Sequence, residues 1–314
     1  MANVVLKKSI NELMKMKKYY QADLLEKNPP GSLFAAKTKT CSITAYKSGK
    51  VLFQGNGGEL EAKKWEDAVP ITKASAAPEK TVAGSLPDNF SSLSVIGSDE
   101  VGTGDYFGPI TVVAAYVKKE NIPLLKELGV RDSKDLNDDK IIAIAKQIKD
   151  IVPYSLLILH NEKYNQLQQA GMSQGKMKAL LHNQAISHVL HKIAPVKPEA
   201  ILIDQFVQAG TYFQHIRGQK TVVKDHVYFS TKAEGIHVAV AAASILARYA
   251  FVQHFDKLSE AAGLKIPKGA GSQVDEAAAR LILAKGQDVL PKFVKLHFAN
   301  TEKAMNLVRK KRGY

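Results

Sequence analysis

The chain has 314 residues, 45% of them hydrophobic, and its 44 lysines and arginines outnumber 30 aspartates and glutamates to give a net charge of +14. This is enough for a hydrophobic core and for two domains, and the charge indicates a polyanionic partner such as a nucleic acid, with an anionic membrane surface as the alternative. The lone cysteine, Cys41, excludes an internal disulfide and a cysteine metal cluster. Apolar runs fall short of the roughly 18 residues of a spanning helix and the first residues lack a signal-peptide core, so we expect a cytoplasmic protein.

A linker is predicted over residues 74–92, ASAAPEKTVAGSLPDNFSS, which are rich in Ala, Ser, Pro and Gly and have no apolar period. It separates an N-terminal domain, 1–73, from a larger domain, 93–314. The N-terminal domain begins with a short apolar segment and a helix from Ser9, where Glu12 completes a capping-box pattern. The residues predicted for the apolar face of this helix are Ile10, Leu13, Tyr20 and Leu24.

Three alternating segments follow, SLFAAKTKT, CSITAYKSG and KVLFQG, and predict a β-meander with a hairpin turn at Gly49. With a short helix around Trp65 they make a small α+β domain. Its exposed sheet positions are predicted to be Lys37, Lys39, Tyr46, Lys47 and Lys50. Lysines on a sheet are usually only solvated, but the interleaved tyrosine and the overall charge favour contact with nucleic acid.

The larger domain alternates strands with helices, which predicts an α/β fold with a mixed sheet and flanking helices. Its predicted strands include LSVIGSDE, PITVVAAYV, YSLLILH and AILID, and its predicted helices lie near 138–150, over 175–194 and along the alanine-rich segment HVAVAAASILARYAFVQHF.

Carboxylates stand at the ends of three of these elements. They are Asp99 and Glu100 after the first strand, Asp204 after AILI, and Glu234 just before the alanine-rich helix. Sites in open α/β sheets gather at strand ends, so the four groups are expected to converge. At about 5 Å each pair would repel by roughly 3 kcal/mol at an effective dielectric near 20, and the group therefore needs a cation.

Oxygen ligands without a His-Cys pattern favour Mg²⁺ or Mn²⁺ over zinc. Two such ions roughly 4 Å apart activate a water and stabilise the leaving oxygen in phosphodiester hydrolysis. Helix capping is the structural alternative for these acids, but Asp204 directly follows four apolar residues and has no evident cap to make.

A Gly-Thr-Gly segment comes soon after the acid pair. Adjacent strand residues point to opposite faces, so Asp99 and Glu100 can share a metal only if the backbone turns directly after them. Gly102 and Gly104 are predicted to supply that turn and to let a substrate backbone approach. A phosphate-cradling nucleotide loop is the alternative, but GxxxxGK[ST] and GxGxxG are both absent.

Four segments that match in order and spacing over 93 to about 300 resemble the type 2 ribonuclease H family. They are GSDEVGTGDYFGPI (97–110), RDSKDL (131–136), AILIDQF (200–206) and TKAEGIHVAVAAASILARYAF (231–251). The resemblance implies an RNase H-like fold and endonucleolytic cleavage of RNA in RNA·DNA hybrids with Mg²⁺ or Mn²⁺, leaving 5′-phosphate and 3′-hydroxyl ends. The metal-binding acids of that family fall on Asp99, Glu100, Asp204 and Glu234.

Within the family the chain is more similar to the ribonuclease HIII branch than to ribonuclease HII. Thr103 stands where the HII branch has Arg, Glu234 stands where it has Asp, and its tyrosine near KGYGT is missing from IPKGAGSQ at 266–273. That tyrosine is linked to cutting at single ribonucleotides in DNA, so HII-like junction cleavage is the less favoured alternative. The N-terminal domain resembles the TATA-binding-protein-like substrate platform of ribonuclease HIII.

The resemblance, together with the small size of glycine, assigns the reading of the 2′-hydroxyl to the main chain of Gly102, Thr103 and Gly104. Lys134 and Lys232 are predicted to contact phosphates, with ordinary surface lysines as the alternative.

Two alternatives stay open at this point. Asp225 competes with Glu234 for the role of fourth acid, and Glu234 is favoured because it lies beside a helix start in the register of the family. A nucleic-acid-binding protein that kept the fold without the chemistry competes with the enzyme, although all four acids are present. We expect a monomer that needs no protein partner and does not bind membranes.

Overall fold

The computed structural model describes residues 3–26, 28–29, 32–46, 49–65 and 86–312. The chain divides into two compact units, Met1–Ala77 and Pro78–Tyr314, each with its own hydrophobic core. The predicted linker lies largely outside the described residues. At its C-terminal end, however, Phe90 is buried in the core of the larger unit, so this end of the segment packs with that unit.

The N-terminal unit is an antiparallel sheet with helices on one face. Its elements are β1 (Asn3–Lys7), α1 (Ile10–Tyr19), β2 (Ser32–Lys37), β3 (Ser42–Tyr46), β4 (Lys50–Gln54) and α2 (Gly58–Lys63). The strand order is β1-β4-β3-β2, which contains the predicted meander. Alternate residues of β3 and β4 point into the core and pack with α1, as the period of two along a strand requires.

Helix α1 begins as predicted and ends earlier than predicted. Ser9 and Glu12 form the capping box, which satisfies two backbone N–H groups at the helix start. The predicted apolar face is wrong at both ends: Ile10 is 64% exposed, and Leu24 lies beyond the helix in an isolated bridge to β2. The buried stripe is instead formed by Leu13, Met16 and Tyr20, whose spacing of three and four matches the helical period.

The larger unit is built on a mixed five-stranded sheet, which confirms the predicted fold class. Its strands are β5 (Val95–Val101), β6 (Ile110–Val117), β7 (Tyr154–Leu159), β8 (Ala200–Asp204) and β9 (Val227–Ser230). The order is β7-β6-β5-β8-β9. β5 and β6 are antiparallel, as are β6 and β7, whereas β5, β8 and β9 run parallel.

Helices cover both faces of this sheet. They are α3 (Ile122–Glu127), α4 (Asp138–Ile148), α5 (Asn161–Gln169), α6 (Gln174–Ile193), α7 (Ala209–Ile216), α8 (Val238–Ala262), α9 (Ser272–Lys285), α10 (Leu290–Phe293) and α11 (Ala299–Arg312). Helix α8 packs on one face of β5 and α6 lies on the other. Gly97 allows the close approach of α8, because a Cβ there would lie 2.3 Å from the backbone of Ala239 and Val240.

Helix α8 is long and apolar enough to cross a membrane by length and composition, and within the described ranges it alone passes that test. In the structure 78% of its most apolar window is buried against the sheet and neighbouring helices. We interpret it as the central core helix. The C-terminal helices α9, α10 and α11 form a further core with Tyr106 and Phe107, which follow β5.

Candidate active site

Strand β5 delivers Asp99 and Glu100 to opposite faces of the sheet. The strand continues through Val101, which pairs with Thr111, so the backbone does not turn directly after the acid pair as predicted. The turn comes one residue later, because ladder pairing with β6 holds the chain extended to Val101. As a result the Asp99 side chain lies on the α8 side, near Ser244, and the Glu100 side chain faces α6.

Asp204 lies beside Asp99 because of the register of the two parallel strands. β5 and β8 pair through Ser98 and Ile203, so the next position on each strand is an aspartate. Neighbouring strands are roughly 4.8 Å apart, and paired positions point to the same face. One carboxylate oxygen of Asp204 accepts a hydrogen bond from the backbone N–H of Ala233 at 2.9 Å, which links the end of β8 to the segment that carries Glu234.

Glu234 lies in a short 3₁₀ turn, Ala233–Gly235, just before α8, and its side chain is only 3% exposed. Its carboxylate accepts hydrogen bonds from the Ser133 backbone N–H at 2.9 Å and the Ser133 hydroxyl at 3.2 Å. Lys134 Nζ donates to its other oxygen at 2.9 Å. The predicted RDSKDL segment therefore contacts the fourth acid directly.

Glu100 has two basic partners from α6. Lys178 Nζ donates to one carboxylate oxygen at 2.6 Å, and His182 Nε2 lies 2.9 Å from the other. Burial alone would raise the pKa of Glu100, but His182 and Lys178 hold it below its usual value. Phe206 packs on this pair, stacking on His182 at 5.0 Å with Lys178 Nζ 4.2 Å from its ring centre.

Asp99 is the electrostatic centre of the group. Its burial raises its pKa well above the usual value, and the negative charges of Glu100, Asp204 and Glu234 raise it further, while a hydrogen bond from Ser244 opposes them. A buried carboxyl group surrounded by three others favours protonation or a bound cation. The structure therefore brings all four predicted acids near one another.

These acids are not arranged as a finished ligand cage. Across the described ranges, no group of three or more His, Cys, Asp or Glu side chains has the spacing to hold a metal ion. Glu100, Asp204 and Glu234 each accept a hydrogen bond from a nearby N–H group. Mutual repulsion of close carboxylates favours this spread arrangement.

The glycine segment forms the turn that follows β5. Gly102 has φ +96°, and a Cβ there would lie 2.2 Å from the Pro109 carbonyl oxygen, so the position requires glycine. Gly104 is exposed and a Cβ there would touch nothing, which leaves the tip of the turn open to a ligand. The Thr103 carbonyl accepts a hydrogen bond from Gln174, and the Thr103 hydroxyl oxygen is buried without a hydrogen-bond partner.

The remaining predicted residues of this unit separate into two groups. Lys134 contacts Glu234, yet 68% of its side chain is exposed. Lys232 is also exposed, and its backbone has a left-handed conformation two residues before Glu234. Both therefore lie beside the acid group. Asp225 lies before the start of β9, whereas Asp204 pairs with Ser230 at its end. The length of β9, roughly 10 Å, separates Asp225 from the acids.

Three of the five predicted contact residues of the N-terminal unit lie on the sheet face opposite its helices. Tyr46 and Lys50 are on the same face of β3 and β4 as the half-buried Thr44 and Leu52, and Lys37 pairs with Ser42 on that face. Lys39 is exposed in the turn between β2 and β3. Lys47 lies outside the described residues. We call Lys37, Tyr46 and Lys50 the outer-face set.

Sequence reasoning missed the partners that hold the acids. Lys178 and His182 are four apart on α6, and a lysine and a histidine on the buried stripe of a helix are a signal that could have been read. Arg248 was also missed. It donates to the Ser133 carbonyl at 2.5 Å and to Asp138 at 2.9 Å, which fixes the RDSKDL segment against α8.

Comparison with known proteins shows which family the chain belongs to. The family model described as Ribonuclease HII matches residues 96–301, and a model described as a domain of unknown function (DUF3378) matches residues 3–78. The chain is 58% identical to ribonuclease HIII of Bacillus subtilis (strain 168) over the whole length of both proteins. It is 56% identical to ribonuclease HIII of Bacillus cereus, covering 98% of this chain and 99% of that relative.

Solved structures give the same result. The crystal structure of Bst-RNase HIII in complex with Mn²⁺ has a TM-score of 0.69 and 46% identity, covering 98% of this chain and 100% of that one. The crystal structure of ribonuclease H2 from Pyrococcus horikoshii OT3 has a TM-score of 0.55 and 23% identity, covering 71% of this chain and 100% of that one, and it shows the same fold. Since the matches span both units and include the acid-bearing strands, the chain belongs to the ribonuclease HIII family of ribonuclease H enzymes.

Proposed function

We propose that this protein hydrolyses the RNA strand of RNA·DNA hybrids with two divalent ions, Mg²⁺ or Mn²⁺, and leaves 5′-phosphate and 3′-hydroxyl ends. The observation that carries the proposal is the buried Asp99 with Glu100, Asp204 and Glu234 around it. Family membership supports the same reading, and a relative of known structure binds Mn²⁺.

The residues fit a hard divalent cation. All four groups are carboxylates, the donors that Mg²⁺ and Mn²⁺ prefer. The raised pKa of Asp99 reflects burial and accumulated negative charge, and a cation would relieve both. Asp99, Glu100, Asp204 and Glu234 would hold the two ions. Because Asp99 and Glu100 point to opposite faces of the sheet, they would ligate different ions unless the side chains move.

Bound ions would supply an activated water and stabilise the leaving oxygen. The protein's own residues orient the ligands: Lys178 and His182 fix Glu100, and Ser133 fixes Glu234. Lys134 lies at the edge of the group with most of its side chain exposed, in position to contact a phosphate of the cleaved strand.

Selection of RNA over DNA would come from the turn after β5. The open position at Gly104 lets a sugar approach the main chain of 102–104, whose polar groups can contact a 2′-hydroxyl. Lys232, beside Glu234, would contact a neighbouring phosphate. The outer-face set and Lys39 would contact the sugar-phosphate backbone of the hybrid. The N-terminal unit would then be a substrate-binding platform, as the resemblance to the TATA-binding-protein-like domain of ribonuclease HIII implies.

We place the protein in the cytoplasm, as a monomer without an obligate protein partner or membrane contact. An inactive binding protein on the same fold is the second candidate, and junction cleavage of the ribonuclease HII kind is a third. The intact set of acids favours the enzyme over the inactive binder. The sequence IPKGAGSQ, without a tyrosine, disfavours junction cleavage.

The test is cleavage of an end-labelled RNA·DNA duplex in Mg²⁺, in Mn²⁺ and in EDTA, with Asp99→Asn as the site variant. We expect cleavage of the hybrid, and we expect EDTA and the Asp99→Asn substitution each to abolish it while the variant still binds the hybrid. The products should carry a 5′-phosphate and a 3′-hydroxyl, which are the ends that a ligase can join. Binding without cleavage in either metal would support the inactive binder. A DNA duplex with one ribonucleotide should resist cleavage.

A further inference from the structure

Lys295 is a buried lysine that donates all its hydrogen bonds to the segment that follows β5. It lies between α10 and α11, and its side chain is fully buried. Its Nζ donates hydrogen bonds to the Asp105 carbonyl at 2.7 Å and to the Gly108 carbonyl at 2.6 Å. Its backbone N–H donates to the Tyr106 carbonyl at 2.9 Å, so this one residue holds three carbonyl groups within four positions of the chain.

Such a position is unfavourable for a lysine. Burial lowers the pKa of Lys295 to about 7, against the opposing effect of Asp105, and among the described residues no carboxylate forms an ion pair with its Nζ. A buried amine needs hydrogen-bond acceptors, whereas an apolar side chain of equal length would avoid that requirement. The lysine is therefore explained by the carbonyls it holds.

The segment held by Lys295 is the one that positions Gly102–Gly104. Past Gly102, the Thr103 carbonyl has a donor in Gln174 and the exposed Gly104 is open to solvent. The following residues are tied firmly: Asn161 also donates to the Gly108 carbonyl at 2.9 Å, and the Gly108 N–H donates to the Phe293 carbonyl at 3.0 Å. The geometry of the open tip thus depends on how residues 105–108 are anchored.

We propose that Lys295 is a positioning residue that holds the 102–108 turn in the shape needed to read the 2′-hydroxyl. This inference rests on the proposed function, since it assigns the turn that role. Lys295 acts through the turn and touches neither the acids nor the substrate. A shift of about 1 Å in a positioning element can lower turnover about 100-fold.

The experiment compares full-length Lys295→Met with the wild type and with Lys292→Met, a matched loss of a neighbouring exposed lysine on α10. Methionine keeps the length and apolar stem and removes the donors. We expect kcat on an RNA·DNA hybrid to fall about 10- to 100-fold with KM changed less than about threefold, and Lys292→Met to match the wild type. Lys295→Gln, which keeps an amide donor, should be intermediate.

A second readout separates positioning from loss of folding. The affinity for the hybrid relative to that for a DNA duplex should be lower in Lys295→Met than in the wild type. Both affinities are measured in EDTA, which prevents cleavage, and an unchanged circular dichroism spectrum shows that the variant is folded. If that variant does not fold, Lys295→Gln and Asn161→Leu, which removes another donor to the Gly108 carbonyl, must each lower kcat and the affinity ratio, with a smaller fall in Lys295→Gln than that expected for Lys295→Met. If folded variants keep the wild-type kcat and the wild-type ratio of affinities, the proposal for Lys295 is wrong, while cleavage by the wild type still supports the proposed function. If the wild type does not cleave the hybrid, both the proposal for Lys295 and the proposed function are wrong.

Discussion

The two units differ in the charge of the surfaces that we propose contact a nucleic acid. On the N-terminal unit, the outer-face set places exposed lysines and a half-buried tyrosine on a sheet whose other face is packed. On the larger unit, the C-terminal ends of the central strands β5 and β8 and the turn before α8 carry acids that are buried or half-buried, each with a specific hydrogen-bond donor. Exposed cations attract a phosphate backbone and lose little hydration free energy in the folded protein. Buried carboxylates repel a phosphate backbone, and their burial carries a large desolvation penalty.

This difference predicts a division of labour. Changes on the outer face should alter affinity and its dependence on salt, and changes at the acid group should alter turnover.

The choice between Glu234 and Asp225 gives the largest contrast. Glu234→Gln should lower kcat about 1,000-fold, roughly 4 kcal/mol of transition-state stabilisation, because it removes one of the acids around Asp99. Asp225→Asn is the matched control, since it neutralises an exposed carboxylate at the other end of β9. Single-turnover cleavage of the hybrid measures both. If Asp225→Asn were inactive and Glu234→Gln active, Asp225 and not Glu234 would be the fourth acid.

Acid should weaken the larger unit through His237, the N-cap of α8. Burial is the main reason that the pKa of His237 falls to about 4, with the nearby Lys126 lowering it further and the hydrogen bond to the Leu93 carbonyl opposing. The unfolded chain, with the ordinary value near 6.5, binds this proton first as pH falls. Stability is therefore lost between about pH 6.5 and 4, by about 3 kcal/mol at most.

Urea unfolding at several pH values measures this loss. His237→Asn keeps a capping side chain without the titrating ring, so its stability should change less over the same range. An equal loss in the variant and the wild type would show that other groups govern the acid response.

Lys178 should contribute to turnover and not to binding. Lys178→Met removes the shorter of the two hydrogen bonds that orient Glu100, and loss of such a partner typically lowers activity about 10-fold or more. Lys176→Met is the control, because Lys176 is exposed on the same helix. Steady-state kinetics on the hybrid should show a lower kcat at similar KM. A raised KM with normal kcat would place Lys178 in substrate binding instead.

The smallest effect is expected on the outer face. Replacing Lys37, Tyr46 and Lys50 with Ala should weaken hybrid binding about fivefold, near 1 kcal/mol, and reduce the slope of log Kd against log salt by about 2, one for each lysine. Lys15→Ala with Lys18→Ala, on the helical side of the same unit, is the control. Unchanged affinity and slope in the triple variant would refute the platform role.

Much of the fold follows from local pattern. The alternation in SITAY and KVLFQ predicted β3 and β4, and the Ser9–Glu12 pair predicted the capping box, because each signal acts within a few residues. The apolar face of α1 was predicted less well, since the exposure of Ile10 depends on where the sheet lies and not on the helix alone.

The candidate site divides in the same way. Sequence alone named the acids and the glycine turn, because they stand at the ends of predicted strands and before a predicted helix. The RDSKDL segment was named only through the resemblance to the type 2 ribonuclease H family. Sequence did not reveal that Asp99 and Glu100 face different helices, since that depends on β5 pairing with β6 as far as Val101. Nor did it reveal Lys178, His182 and Lys295, which become partners of the site only when α6 and the C-terminal helices pack against the sheet.

The amino-acid sequence by itself thus determined which chemical groups this protein has and which strands and helices carry them, because periodicity, capping and short motifs are local. Tertiary structure alone decided the neighbours of each charge. The register between β5 and β8 puts two aspartates side by side, and helix packing supplies the donors that make their burial tolerable. Desolvation and charge interactions depend on distances between residues far apart in the chain, and only the folded protein sets those distances.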